Sequence, residues 1–311
     1  MHGFGARSDE FIHQRAELAR DHRVVSFDHR GHGRSGWAGR GSASVARLGR
    51  DLADVVERSA GDVVLVAHSM GGMAVMAMAC QRADLLRSTV VAVALLSTSA
   101  GHLADSRLPD AVARALVRAG AARALFVVDW VLAPLVDAVH PFRHRWGRRW
   151  LRRHLFGRRP PTPAELDRVV DMWDSTPRSV TAAFYPSLLE HHRRAALQLL
   201  AQVPCLVLTG TDDATIPASH SERIAEALGA RSRLVRVPGA GHMVNLTHPE
   251  LVNAEIRDLV TRACGYRATS EDGHGPGAAG TSPRRDGADE STWRVAARPR
   301  FPAERAAEGA R

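Results

Sequence analysis

Along this chain, short unbroken runs of apolar residues alternate with longer stretches in which apolar positions recur every three or four residues. The runs at 63–66 (V-V-L-V), 90–96 (V-V-A-V-A-L-L) and 205–208 (C-L-V-L) are too short for helices and lack polar alternation, as expected of strands covered on both faces of a parallel sheet. Strands are therefore predicted over 23–28, 62–67, 89–96, 205–209 and 233–237, and helices over 8–20, 44–59, 70–82, 219–228 and 249–263. This alternation predicts an α/β chain with a doubly wound, mostly parallel sheet. Between the strands at 89–96 and 205–209 lies an insertion over about 101–203, and the catalytic-type core is predicted at 1–100 and 204–264.

The strand at 62–67 runs directly into H-S-M-G-G, a serine between small residues followed by a helix. A serine hydroxyl becomes a nucleophile only beside a base and near N–H groups that can hold an oxyanion, and a sharp strand-to-helix turn provides that setting. Three further segments supply matching chemistry: His2-Gly3-Phe4-Gly5, Asp213 in G-T-D-D-A-T-I-P after one strand, and His242 in G-A-G-H after the next. With this Ser, Asp, His order, residues 1 to about 264 resemble the α/β-hydrolases of the serine esterase and monoacylglycerol-lipase type. Ala67 stands where that family's G-x-S-x-G usually has its first glycine.

The resemblance implies that Ser69 attacks an acyl carbonyl, His242 takes and returns the proton, and Asp213 orients the imidazole. It also implies oxyanion donors at the N–H groups of Phe4 and Met70, with no metal or organic cofactor. The expected substrate is a carboxylic ester with an apolar acyl group. C–C bond hydrolysis and cofactor-free perhydrolysis run on the same triad, and a catalytically dead binding module is the alternative from another class. A serine at the elbow argues against the family's epoxide hydrolases and dehalogenases, which use aspartate there.

Competing readings attach to several of these residues. A serine before two glycines is a common helix N-cap, and His242 is one of 16 histidines. Asp212 competes with Asp213, and family spacing selects Asp213; Asp105 is a third candidate. The segment G-H-G-R-S-G at 31–36 matches the dinucleotide fingerprint but has no helix directly after it. It resembles instead the loop after the fourth strand in α/β-hydrolases, which shapes the floor of the site.

Every one of the 42 basic residues is arginine, so the net charge of +9 reflects composition as much as an anionic partner. The insertion holds 16 Arg against 9 acids, and 140–160 carries eight arginines with Phe142, Trp146 and Trp150 at helical spacing. That is the pattern of a basic amphipathic helix on a membrane surface, or of a helix that packs its aromatics inward. The stretch 124–139 is apolar but too short to span a bilayer, and reads as an apolar wall of a lid. Three cysteines, with Cys80 and Cys205 expected to be buried, show no disulfide or metal spacing and favour a reducing, cytoplasmic setting. From Gly265 onward the chain is rich in Gly, Ala, Pro and Arg without periodicity and is predicted disordered, with too balanced a charge for a nucleic-acid tail.

The resemblance begins at its third strand's last residues, so two strands and nearly all of a third have no counterpart. The expectation is an N-terminally truncated member of that fold, poorly soluble or poorly active, and one for which the lack of a signal peptide is uninformative.

Overall fold

The computed structural model describes residues 1–103, 131–133, 135, 137–138 and 144–271. Four strands, β1 (Val63–His68), β2 (Val90–Leu96), β3 (Cys205–Gly210) and β4 (Ser232–Val237), form a parallel sheet in the order β1-β2-β3-β4. Leu65 faces Val93, Val93 faces Cys205, and Cys205 faces Ser232.

Period-two alternation divides each strand between two cores. Val93, Leu95, Cys205 and Val207 point to one face, where they pack with α2 (Val45–Glu57), α3 (Met70–Gln81), the short α4 (Ala83–Ser88) and later helices. Ala92, Ala94, Leu96, Leu206 and Leu208 point to the other face, under α1 (Ile12–Leu18) and the C-terminal helix. All nine side chains are fully buried, each apolar one of Val or Leu size contributing about 1.5–3 kcal/mol. This explains why the strand runs are apolar throughout. Helix α2 starts where Ser44 accepts a hydrogen bond from the Arg47 N–H at 3.1 Å, and its buried stripe is Val45, Leu48, Leu52 and Val56. Helix α3 is buried on every side, as its run of Met, Ala and Val requires.

Between β2 and β3 the insertion contributes α5 (Arg145–Leu155), α6 (Pro163–Asp174), α7 (Arg178–Leu189) and α8 (Arg194–Leu200). Thr162 and Glu165 form a reciprocal capping box at the start of α6, with Pro163 in the first turn. After β3 come α9 (Ala218–Leu228), β4, the short α10 (Val244–Thr247) and α11 (Pro249–Glu271).

Several expectations change. The segment 23–28 is not a strand: it runs extended and unpaired, with Val24 and Val25 exposed. A strand exists only through a partner backbone within about 5 Å. Here a cavity of about 430 Å³, lined by Leu18, Val25, Phe27, Val56, Val63 and Leu65, separates the segment from β1. On that side β1 is bridged by Met1, whose amino group donates to Val66 O at 2.7 Å and whose carbonyl accepts from His68 N at 3.0 Å. The first helix is shorter than expected, a 3-10 turn over Ser8–Phe11 leading into α1. The last helix is longer, continuing through Glu271, so the segment from 265 starts as helix; residues 272–311 lie outside the described residues. Cys80 is exposed at the end of α3, while Cys205 is buried, its thiol pushed up to about 12 by desolvation.

In α5 the buried face is Gly147, Leu151 and Leu155, not the predicted aromatic stripe. Trp146 is 65% exposed and Trp150 is 37% exposed, the latter stacked on His154. Phe142, Asp105 and most of the apolar stretch 124–139 lie outside the described residues. Among the described residues no helix is long and apolar enough to cross a membrane.

Candidate active site

Ser69 occupies the turn between β1 and α3 with φ 51° and ψ −118°, a region that costs a non-glycine residue about 1–3 kcal/mol. Four hydrogen bonds hold it there: Ser69 N donates to Leu96 O at 3.0 Å, and Ser69 O accepts from Gly72 N at 3.0 Å, from Met73 N at 3.3 Å and from Thr98 Oγ1 at 2.7 Å. The side chain makes no capping hydrogen bond, which removes the N-cap reading. Gly72 lets Thr98 reach that carbonyl, because a Cβ there would lie 2.6 Å from Thr98 Oγ1. The turn is therefore braced from β2, and its serine is aimed by backbone strain, not by helix capping.

His242 follows β4 in a tight loop, and its Nδ1 lies 2.8 Å from Asp213 Oδ2. The second carboxylate oxygen, Oδ1, accepts from the N–H groups of Thr215 at 2.9 Å and Ile216 at 2.8 Å. A carboxylate only accepts, so Nδ1 carries the proton and Nε2 presents its lone pair. Both side chains are nearly buried. Among the described residues the His242 side chain bonds Asp213 and makes no hydrogen bond to Ser69. Such contacts are often long in a free enzyme and tighten around a substrate. The neighbouring Asp212 points the other way, into an exposed ion pair with Arg158 at 2.5 Å.

Met70 is the first residue of α3, so its N–H has no carbonyl partner within the helix. The loop carrying Phe4 lies against the same point: a Cβ on Gly3 would come 3.0 Å from His68 Nδ1 and 3.2 Å from Ser69 Cβ. Phe4 packs near Trp173 and Tyr185 and borders an apolar cluster with Met70, Val180, Phe184, Leu188 and Ile216.

No helix follows 31–36 directly; a 3-10 turn at Arg40–Ser42 and then α2 come later, so these glycines do not open a pyrophosphate-binding helix. The loop instead pins the segment from His2 to Gly5. His29 N donates to His2 Nε2 at 2.8 Å, Gly5 N donates to His32 Nε2 at 3.3 Å, and His2 Nδ1 and His32 Nδ1 donate to Gly3 O and Arg30 O. These bonds require neutral rings. Burial holds His2 and His29 well below the ordinary histidine range and His32 down to about 4.

Two residues beneath the site escape the sequence reading. Glu10 and His68 form a buried ion pair next to Ser69. A signal for Glu10 existed: with Gln14 and Leu18 it repeats every four residues on the face that α1 buries.

The family model described as the Alpha/beta hydrolase family matches residues 1–255. A putative carbamate hydrolase, RutD, of Klebsiella pneumoniae is 25% identical over 257 residues, covering 82% of this chain and 88% of the relative. A non-heme haloperoxidase of Rhodococcus erythropolis is 26% identical, covering 83% and 90%. Among solved structures, a thermophilic esterase from Thermogutta terrifontis superposes with a TM-score of 0.64 at 26% identity, covering 84% of this chain and 88% of that one. With a parallel sheet, a strained serine turn and a family match over four-fifths of its length, the chain belongs to the α/β-hydrolase family of hydrolases.

Proposed function

We propose that this protein is a serine hydrolase that cleaves a carboxylic ester with an apolar acyl group through an acyl-enzyme. The observation that carries the proposal is the pairing of His242 with Asp213 beside a serine held at positive φ. Ser69 Oγ attacks the carbonyl carbon as His242 Nε2 takes its proton, and the oxyanion is received by the N–H groups of Met70 and Phe4. His242 then protonates the departing alkoxide, and a water, deprotonated by the same ring, releases the acid. The apolar cluster of Phe4, Val180, Phe184, Leu188 and Ile216 supports an apolar acyl group. Carbamate cleavage, suggested by the name of one relative, uses the same nucleophile and becomes an arm of the test.

A fluorophosphonate probe should label Ser69, and p-nitrophenyl esters should be turned over faster than a matched carbamate. Absence of both labelling and turnover would support the dead binding module. The acid assignment has its own measurement: Asp213→Asn should lower kcat by roughly 10⁴-fold by misorienting the ring, while Asp212→Asn, which loses an exposed pair with Arg158, should change it little. Equal losses at both positions would refute the assignment.

We propose further that α5 touches anionic membrane surfaces. Arg145, Arg149, Arg152 and Arg153 are exposed beside Trp146 and make no ion pair among the described residues, whereas Arg148 pairs with Asp167 at 2.7 Å. Changing the four unpaired arginines to Gln should weaken binding to vesicles containing phosphatidylserine by about 4 kcal/mol, at ~1 kcal/mol per charge. Turnover of a short soluble ester should stay the same. Salt-insensitive binding, or none by the parent, would show that the arginines only solvate the helix.

A further inference from the structure

Glu10 and His68 have no role in the chemistry proposed above, yet they connect its three loops. They pair through Glu10 Oε1 and His68 Nδ1, both essentially shut off from solvent. His68 Nε2 lies 2.9 Å from the backbone carbonyl of His242. Since that carbonyl can only accept, Nε2 is the donor. The second carboxylate oxygen, Glu10 Oε2, accepts from Gly3 N at 2.7 Å, and the Glu10 carbonyl accepts from Asn245 Nδ2 at 3.0 Å. Residue 68 is also covalently joined to Ser69. One buried pair thus touches the oxyanion loop, the nucleophile turn and the loop of the base, which come from three distant parts of the chain.

Such a pair is a poor device for stability alone. Desolvating two charges costs several kcal/mol each, and a well-packed apolar pair of similar volume often serves as well. What an apolar pair cannot do is hold specific backbone atoms at hydrogen-bond distance. The charges are retained in the fold: contact with Glu10 raises the His68 pKa and contact with His68 lowers that of Glu10, each against the cost of burial.

We infer that Glu10 and His68 are positioning residues that fix the His242 loop and the Gly3–Phe4 loop against Ser69, so that base, nucleophile and oxyanion donors keep their mutual geometry. The inference rests on the reading of Ser69 and His242 as reacting groups. Misplacing a reacting group by about 1 Å costs roughly 100-fold in rate.

The test compares His68→Phe, Glu10→Ala and Glu10→Gln with the parent, with kcat referred to the sites titrated by a fluorophosphonate. His68→Phe keeps the volume but frees the His242 carbonyl, and Glu10→Ala releases both His68 and Gly3. Each should lower kcat on p-nitrophenyl acetate by roughly 100-fold with KM little changed. Glutamine can accept from Gly3 N and donate to Nδ1 of a neutral His68, so Glu10→Gln should recover most of the loss. A purely structural pair would lower the melting temperature and the yield of titratable sites but leave kcat per site at the parent value, and that result overturns the inference.

A readout free of turnover is amide hydrogen exchange at Gly3 by NMR, expected to be slow in the parent and in Glu10→Gln and fast in Glu10→Ala. Equal exchange in all three also overturns it. A parent that is neither labelled nor active would sink the hydrolase reading, and the exchange data would then decide the clamp alone.

Discussion

Ser69→Ala and His242→Ala should each lower turnover of a p-nitrophenyl ester by roughly four to six orders of magnitude, and the double substitution should cost little more than either one. Triad members act as a unit: without the nucleophile the base has nothing to activate, and without the base the hydroxyl keeps its proton. Residual turnover would come from the proposed oxyanion donors, the N–H groups of Met70 and Phe4. The strained turn adds a second expectation. Ser69→Gly removes the Cβ that makes φ 51° costly and should raise the melting temperature while abolishing activity, a trade between stability and function. Steady-state kinetics and thermal melts on the same preparations decide both. Near-parent turnover in Ser69→Ala would show that another residue is the nucleophile.

Stability should fall steeply as the pH drops below about 6.5. His32 and His191 are buried and held neutral down to about 4 by desolvation. Below the ordinary histidine pKa the unfolded chain binds protons that the folded chain refuses, so unfolding is favoured as acid is added. Well below pH 6.5 each such histidine costs about 1.4 kcal/mol per pH unit, and because the unfolded rings are half protonated at pH 6.5 the two together remove about 3 kcal/mol between pH 6.5 and 5. His2 and His29, depressed by the same burial, add to this with the same sign, as does the Met1 amino group, held to about 5. Against a typical total of about 5–15 kcal/mol, this is a large fraction of the stability. The Glu10–His68 pair does not cancel it. His68, with its pKa raised, contributes stability that is present below the ordinary histidine pKa and lost as pH rises through its folded value. Glu10, with its pKa lowered, loses its contribution only when pH falls through its own folded value. Urea midpoints measured from pH 8 to pH 5 should therefore decline toward acid, and a flat profile would mean that these rings are solvated or already protonated.

The elements that were legible in the chain are those whose local pattern and tertiary role agree. The runs at 63–66, 90–96 and 205–208 became β1, β2 and β3 because an apolar run can satisfy itself only between two helical layers. The order of Ser69, Asp213 and His242 was readable because each lies just after a strand, at the same end of a parallel sheet. The segment 23–28 has equally good strand residues, yet it is no strand, because pairing is a property of two segments and its neighbour across the cavity is too far away. The Trp146 and Trp150 stripe likewise had helical spacing, but spacing does not say which stripe faces inward. Leu151 and Leu155 took the buried side.

The site divides along the same line. The sequence by itself determined the fold class and the order in which Ser69, Asp213 and His242 follow their strands, since these depend on residue type and on spacing within single elements. Only the tertiary structure decided that Asp213 faces His242 while Asp212 faces Arg158, because adjacent residues in a loop share their neighbourhood in sequence but not their direction in space. It also decided that Glu10 meets His68 and that His2, His29 and His32 are neutral. Burial, and the hydrogen-bond partners that burial demands, come from segments up to hundreds of residues apart, and no local pattern records them.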